Sequence, residues 1–201
     1  MKKTSAMIMA VVICMMLVLP GCGMSQEEKA LKTANEVYSH LCSAMDKIDE
    51  VMNSISAARR IGASKAYDGS TFNTAFLAKL AKDTSLPEED LSAAIEYLGE
   101  RSLTKDTAIN NCMEIIIEVY RRNGTFDEIN ASVDSAFAVL KTASAEFDNY
   151  DYFVVLRALY FEVEAYAEFA QYPEANAYQN YADNYKDVMD AYRKALLFVF
   201  D

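Results

Sequence analysis

The chain offers few residues that could do chemistry, and its single histidine is the first to consider. His40 follows Glu36 by one helical turn, so the two side chains share one face of a predicted helix. A metal site of the ferritin-like kind would need two E-x-x-H motifs and further inward carboxylates. Because His40 and Glu36 both fall outside the apolar seam of that helix, we interpret them as a solvated pair. We therefore predict no metal ion and no other cofactor.

Carboxylate pairs one turn apart are the second candidates for chemistry. They occur at Glu114 and Glu118 and again at Glu164 and Glu168. Paired acids can support acid–base catalysis or bind a hard cation. On a helical projection, both pairs lie mostly beside or opposite the apolar stripe, so we expect them on exposed faces. The chain also lacks the HExxH, GxSxG, calcium-loop and phosphate-loop motifs. We predict no catalytic residues.

Tyrosine is concentrated in the C-terminal part, where nine of the thirteen tyrosines follow residue 149. Its large ring and polar tip suit both protein cores and binding surfaces. Tyr178, Tyr181, Tyr185 and Tyr192 share one helical face, and we interpret them as core residues with hydroxyls at the rim. Tyr166 and Tyr172, close to Pro173, are the candidates for an exposed binding surface.

The N-terminus carries the pattern of an export signal. Lys2 and Lys3 precede an uncharged run of about 14 residues, which matches the apolar part of a signal peptide and is shorter than a membrane span. The run ends in Leu19-Pro20-Gly21-Cys22. These residues resemble the lipobox of bacterial lipoproteins, although Pro20 stands where a small residue is usual. The resemblance implies acylation of Cys22 and cleavage before it.

On this interpretation, residues 1–21 are a cleaved signal peptide and residues 22–25 are the lipidated cysteine and a very short tether. Residues 26–201 then form a single helical domain. The protein is expected on the outer side of the cytoplasmic membrane, or on the outer membrane if the envelope has one. The alternatives are an uncleaved anchor helix and a secretory signal cut at another site.

Charge restricts the partners of the mature chain. The 19 Lys and Arg residues fall to 17 without Lys2 and Lys3, and 30 Asp and Glu residues remain, for a formal charge of −13. Such a chain is repelled by nucleic-acid phosphates and by anionic lipid headgroups. We therefore expect acyl chains on Cys22 to hold it at the membrane, and an envelope protein or glycan to be its partner.

Two further cysteines, Cys42 and Cys112, would remain in the mature chain. In an exported protein they could form a disulfide. The alternative is two buried thiols that pack as small apolar side chains.

The spacing of apolar residues predicts helices throughout. Ser25 and Glu28 form a capping box that opens a helix reaching Arg59 and Arg60. Its seam alternates at three and four residues: Leu31, Ala34, Tyr38, Leu41, Met45, Ile48, Met52 and Ile55, flanked by Val37, Ala44, Val51 and Ala58. Every Gly and Pro after the signal falls between helical patterns, at Gly62, Gly69, Pro87, Gly99, Gly124 and Pro173.

Shorter helices follow, with helix starts predicted at Ser85 and Thr125, a corner at Asp148–Asn149, and a last helix over residues 178–199. Residues 123–128 resemble the inter-helix turn of a tetratricopeptide repeat, but no period of about 34 residues is present. We therefore predict an all-α fold: an irregular antiparallel helical bundle, or stacked helix hairpins, with a long N-terminal helix.

Three functions fit these features. The first is a non-catalytic binding module, anchored by lipid in the bacterial cell envelope. The second is a helical carrier that holds a small ligand between its helices. The third is an envelope enzyme that uses carboxylates without histidine, which would need two acids close together in an aromatic-lined cleft.

Overall fold

A single long helix forms the centre of the fold. The computed structural model describes residues 24–64, 74–99, 107–147 and 149–172. Helix α1 (Gln26–Ala63) has 38 residues and is therefore about 57 Å long. The Ser25 hydroxyl accepts a hydrogen bond from the Glu28 backbone N–H at 3.2 Å, and the Glu28 carboxylate accepts one from the Ser25 N–H at 2.8 Å. The predicted capping box is confirmed.

Five further helices pack on α1 or on one another: α2 (Thr74–Thr84), α3 (Glu88–Leu98), α4 (Ala108–Arg122), α5 (Thr125–Glu146) and α6 (Asp151–Gln171). Helix α1 contacts α2, α4, α5 and α6, and each helix from α2 onward contacts the next. The residues described contain no β-strand. The prediction of an all-α bundle with a long N-terminal helix is confirmed.

One hydrophobic core joins all six helices. The predicted seam of α1 is buried along its length except for Leu31, which is 37% exposed. The four flanking residues, Val37, Ala44, Val51 and Ala58, are also buried. This wide apolar stripe allows α1 to be covered from several sides at once.

The corners predicted at Pro87, Gly99 and Gly124 are confirmed, and those predicted at Gly69 and Pro173 lie outside the described residues. Two caps differ from the prediction. Gly99 ends α3 with φ +77°, and Gly124 precedes α5 with φ +82°. Gly124 therefore occupies the N-cap position that we predicted for Thr125. Ser85 also does not cap α3, because its backbone has φ +61° and Pro87 takes the N-cap position.

Gly62 lies inside the last turn of α1 and not between helices, so that part of the prediction is wrong. It is buried there against the start of α4. A Cβ atom at this position would lie 2.7 Å from the Ile109 Cα and 2.8 Å from the Ala108 carbonyl oxygen. Glycine is required because the backbones of the two helices approach too closely for any side chain.

Cys42 and Cys112 do not form a disulfide: Cys42 is half-buried and Cys112 is fully buried. Of the two alternatives, packing as a small apolar group therefore holds for Cys112. In the part of the chain that the structure describes, no helix is both long and apolar enough to cross a bilayer. The signal segment and the predicted last helix fall outside the described residues.

Candidate functional site

The structure separates the two tyrosines that we predicted at a binding surface. Tyr172 is 72% exposed at the end of α6, whereas Tyr166 is buried with only 6% exposed. The prediction of an exposed Tyr166 is wrong, because Tyr166 follows Val163 by three residues and precedes Ala170 by four. It therefore continues the core face of α6. The same three-four spacing in the sequence could have identified it as a core residue. The acylation site predicted at Cys22 lies outside the described residues.

The predicted acidic pairs also have different environments. Glu164 and Glu168 are exposed as expected, but Glu114 is half-buried and Glu118 is only 3% exposed. The prediction for Glu118 is wrong because α4 contacts α1, α3 and α5, so every residue from 115 to 120 is buried. Arg121, one turn further on, forms an ion pair with the buried carboxylate. This pair neutralises the charge where α4 reaches the surface.

The pair of Glu36 and His40 lies on α1, with Glu36 exposed and His40 half-buried. Glu36 lines a groove of about 420 Å³ between α1 and α5. The groove is lined by Thr33, Glu36, Ala138, Val139, Thr142, Ala143, Glu146 and Phe147. Within the described ranges, no three His, Cys, Asp or Glu side chains come together in a way that could hold a metal ion.

The polar groups of this groove are mainly hydrogen-bond acceptors. The Thr33 hydroxyl donates to the Lys29 carbonyl at 2.9 Å, and the Thr142 hydroxyl donates to the Ala138 carbonyl at 3.1 Å. Each hydroxyl proton is therefore already engaged in a hydrogen bond within its own helix, and the hydroxyl oxygen can only accept. The two carboxylates, Glu36 on α1 and Glu146 on α5, are exposed. The groove is chemically suited to a ligand that donates hydrogen bonds or carries positive charge.

An aromatic cluster lies at the corner between α5 and α6. Phe147 stacks on Phe153 with ring centroids 5.8 Å apart, and Tyr152 lies 5.1 Å from Phe153 and 5.3 Å from Tyr150. Burial, followed by the charges of Tyr150 and Glu27, raises the pKa of Tyr152. The contribution of Glu27 indicates that this corner lies beside the first turn of α1.

A second group of rings lies on the α5–α6 face, and we call it the aromatic patch: Phe137, Tyr160 and Phe161. The Tyr160 ring lies 5.6 Å from that of Phe137 and 5.4 Å from that of Phe161. Tyr160 is buried, but Phe137 is 50% exposed and Phe161 is 63% exposed. The patch therefore presents two ring surfaces to solvent on a buried aromatic support.

Carboxylates surround the buried ring of the aromatic patch. The Tyr160 hydroxyl donates a hydrogen bond to Glu164 Oε1 at 2.6 Å. The pKa of Tyr160 is raised to about 12, first by burial, then by the bond to Glu164 and the negative charges of Glu164 and Asp134. Tyr160 therefore remains protonated at physiological pH and holds the Glu164 carboxylate beside the two exposed rings.

Sequence reasoning missed the aromatic patch because Phe137 fits the apolar spacing of α5, four residues after Val133 and three before Leu140. One signal was available: Tyr160 and Phe161 are consecutive, and neighbouring residues on a helix point about 100° apart. Because Tyr160 fits the apolar spacing that runs through Leu156 and Val163, Phe161 lies outside that stripe. No protein-family model, curated protein or solved structure matches this chain.

Proposed function

We propose that this protein is a lipid-anchored, non-catalytic binding module of the bacterial cell envelope, facing outside the cytoplasm. The anchor rests on the signal-like segment that ends at Cys22. Only three residues separate Cys22 from Gln26, where α1 begins. Such a short tether would keep the helical body beside the membrane and limit its reach to partners at that surface.

The observation that carries the binding function is the clustering of exposed apolar side chains on one face. Seven large hydrophobic side chains are exposed in the described part of the chain. Phe137, Val154 and Phe161 lie on α5 and α6, and Tyr172 lies at the end of α6. Single exposed apolar residues are common on protein surfaces, but neighbouring ones mark interaction sites.

Site-specific photocrosslinking in intact bacterial cells tests this function. A photoreactive phenylalanine analogue at position 161 should capture a specific envelope partner, and the same analogue at Tyr97 should not. Tyr97 is a suitable control because it is 69% exposed on α3, away from the patch. Equal capture at both positions, or no capture at position 161, would contradict a binding surface on this face.

A second experiment tests the anchor independently. The wild-type chain should be recovered in the membrane fraction with the mass of the acyl groups at its mature N-terminus. The Cys22→Ala variant should lack that mass and should leave the membrane fraction or keep its signal peptide. A Cys22→Ala protein that stays in the membrane at the mature size would rule out lipidation at Cys22.

A small-ligand carrier is the second candidate, and the groove between α1 and α5 favours it. Its volume of about 420 Å³ lies within the range of roughly 300–1,000 Å³ that small-molecule sites occupy. Most such sites enclose their ligand, whereas this groove is an open channel between two helices. Native mass spectrometry should detect a stoichiometric small molecule if the groove is the functional site.

A further inference from the structure

We propose that the α5–α6 face binds a cationic amphipathic helix of a partner protein. This inference rests on the proposed binding function and specifies the chemistry of the partner. It starts from the outer face of α6, where Val154, Ala158, Phe161 and Ala165 are exposed. Their spacing of four, three and four residues aligns them along one side of the helix.

The length of this face suits a partner helix. The stripe on α6 runs from Val154 to Ala165, which is about 17 Å at 1.5 Å per residue and equals about three turns of a partner helix. Phe137 extends from α5 and contacts Tyr160, which in turn contacts Phe161. The exposed rings of Phe137 and Phe161 therefore come from two adjacent helices. A partner helix could place apolar residues of one face between them, as in helix-in-groove recognition.

The charges around the stripe determine which helix would fit. Asp134, Glu162, Glu164 and Glu168 are exposed on α5 and α6. The only basic residues of these two helices are Lys141 and Arg157, and Arg157 is half-buried. A partner with Lys or Arg beside its apolar face would find complementary charge, and its basic side chains could also lie over the exposed rings.

The same charges disfavour two other occupants. A second copy of this chain would place identical carboxylates against one another across the interface, and like charges oppose association. Anionic lipid headgroups would be repelled for the same reason. Charge complementarity therefore favours a basic partner over self-association or a membrane surface.

Peptide binding to the full-length lipidated chain, in micelles of an uncharged detergent, tests the proposal. The probe is a fluorescent amphipathic helix of leucine and lysine, and its control replaces every lysine with glutamate. Fluorescence anisotropy should show binding of the leucine–lysine peptide only. The affinity should fall as NaCl rises, because salt screens exposed charges over about 8 Å at physiological ionic strength. Empty micelles give the background.

Variants locate the binding site. Phe161→Ser should weaken binding about tenfold, as expected for an aromatic residue at the centre of an interface. Tyr97→Ser, on α3, is the matched control and should bind like the wild type. The double variant Asp134→Asn/Glu164→Gln should keep its fold, since both residues are exposed. Its salt dependence should be weaker than that of the wild type, because two of the four exposed carboxylates are neutralised. Circular dichroism checks that each variant is folded.

The outcomes separate this inference from the proposed function. If both peptides bind equally and Phe161→Ser weakens both, the face binds partners but not by charge, and only the cationic partner is refuted. If Phe161→Ser changes nothing and position 161 captures no partner in cells, the binding face is refuted as well. Two other results would also overturn the proposal. If the protein is a dimer that Phe161→Ser dissociates, a second copy of the chain covers this face. If truncation after Tyr172 tightens peptide binding, the residues that follow Tyr172 cover it.

Discussion

The close approach of α1 and α4 at Gly62 leads to the sharpest stability prediction. In Gly62→Ala, the new methyl group would meet the Ile109 Cα at 2.7 Å and the Ala108 carbonyl oxygen at 2.8 Å. Both atoms belong to the backbone at the start of α4, so no rotamer change can remove the contact. The helices would have to move apart along a buried interface.

The magnitude follows from two opposing effects. Inserting a methylene into a well-packed core costs roughly 1–3 kcal/mol, and a backbone contact belongs at the upper end of that range. Replacing Gly by Ala inside a helix stabilises the folded state by at most about 1 kcal/mol, because Ala has the higher helix propensity. The expected net loss in the free energy of unfolding is therefore about 2 kcal/mol. In a chain of this size it would lower the Tm by about 4–8 °C.

Chemical denaturation followed by circular dichroism measures this loss. Ala63→Gly is the matched control, because Ala63 is exposed in the same helical turn and reports the local difference in helix propensity. Subtracting that difference leaves the steric cost at Gly62. A Gly62→Ala variant as stable as the wild type, or more stable, would refute the close packing of α1 against α4.

Two predictions concern the buried polar groups of α4. Arg121→Ala should cost about 3 kcal/mol of stability, because it leaves the buried Glu118 carboxylate without its ion-pair partner. Both variants are compared by urea denaturation. Arg122→Ala, the control at the neighbouring exposed position, should lower the free energy of unfolding clearly less than Arg121→Ala. Equal losses would contradict a buried Glu118 charge. Burial raises the pKa of Tyr120 from its usual value of 10.0 to about 12. The protonated side chain therefore stabilises the folded state fully below pH 10, and this contribution is lost as the pH rises to 12. Tyr120→Phe should lower the free energy of unfolding by about 1 kcal/mol at neutral pH, because it removes the hydrogen bond to Ser54 at 2.9 Å. Between pH 10 and 12, the stability of this variant should fall less steeply than that of the wild type. Equal slopes would contradict a buried, protonated Tyr120.

Much of the fold could be predicted because its signals are local. The capping box at Ser25, the seam of α1 and the corners at Gly99 and Gly124 depend on residues within one or two turns of one another. The candidate site was harder to predict. Of the tyrosines chosen as surface residues, only Tyr172 is exposed, and the aromatic patch was not identified. Its rings come from α5 and α6, and no local pattern indicates which rings meet.

The sequence by itself determined that this chain forms helices and where most of them begin and end. Apolar periodicity and capping act over a few residues, so these properties can be read along the chain. Only the tertiary structure decided that Glu118 is buried, that Gly62 admits no side chain and that Phe161 remains exposed. Each of these depends on how many neighbouring helices cover a given face, and that number is set by contacts between residues far apart in sequence.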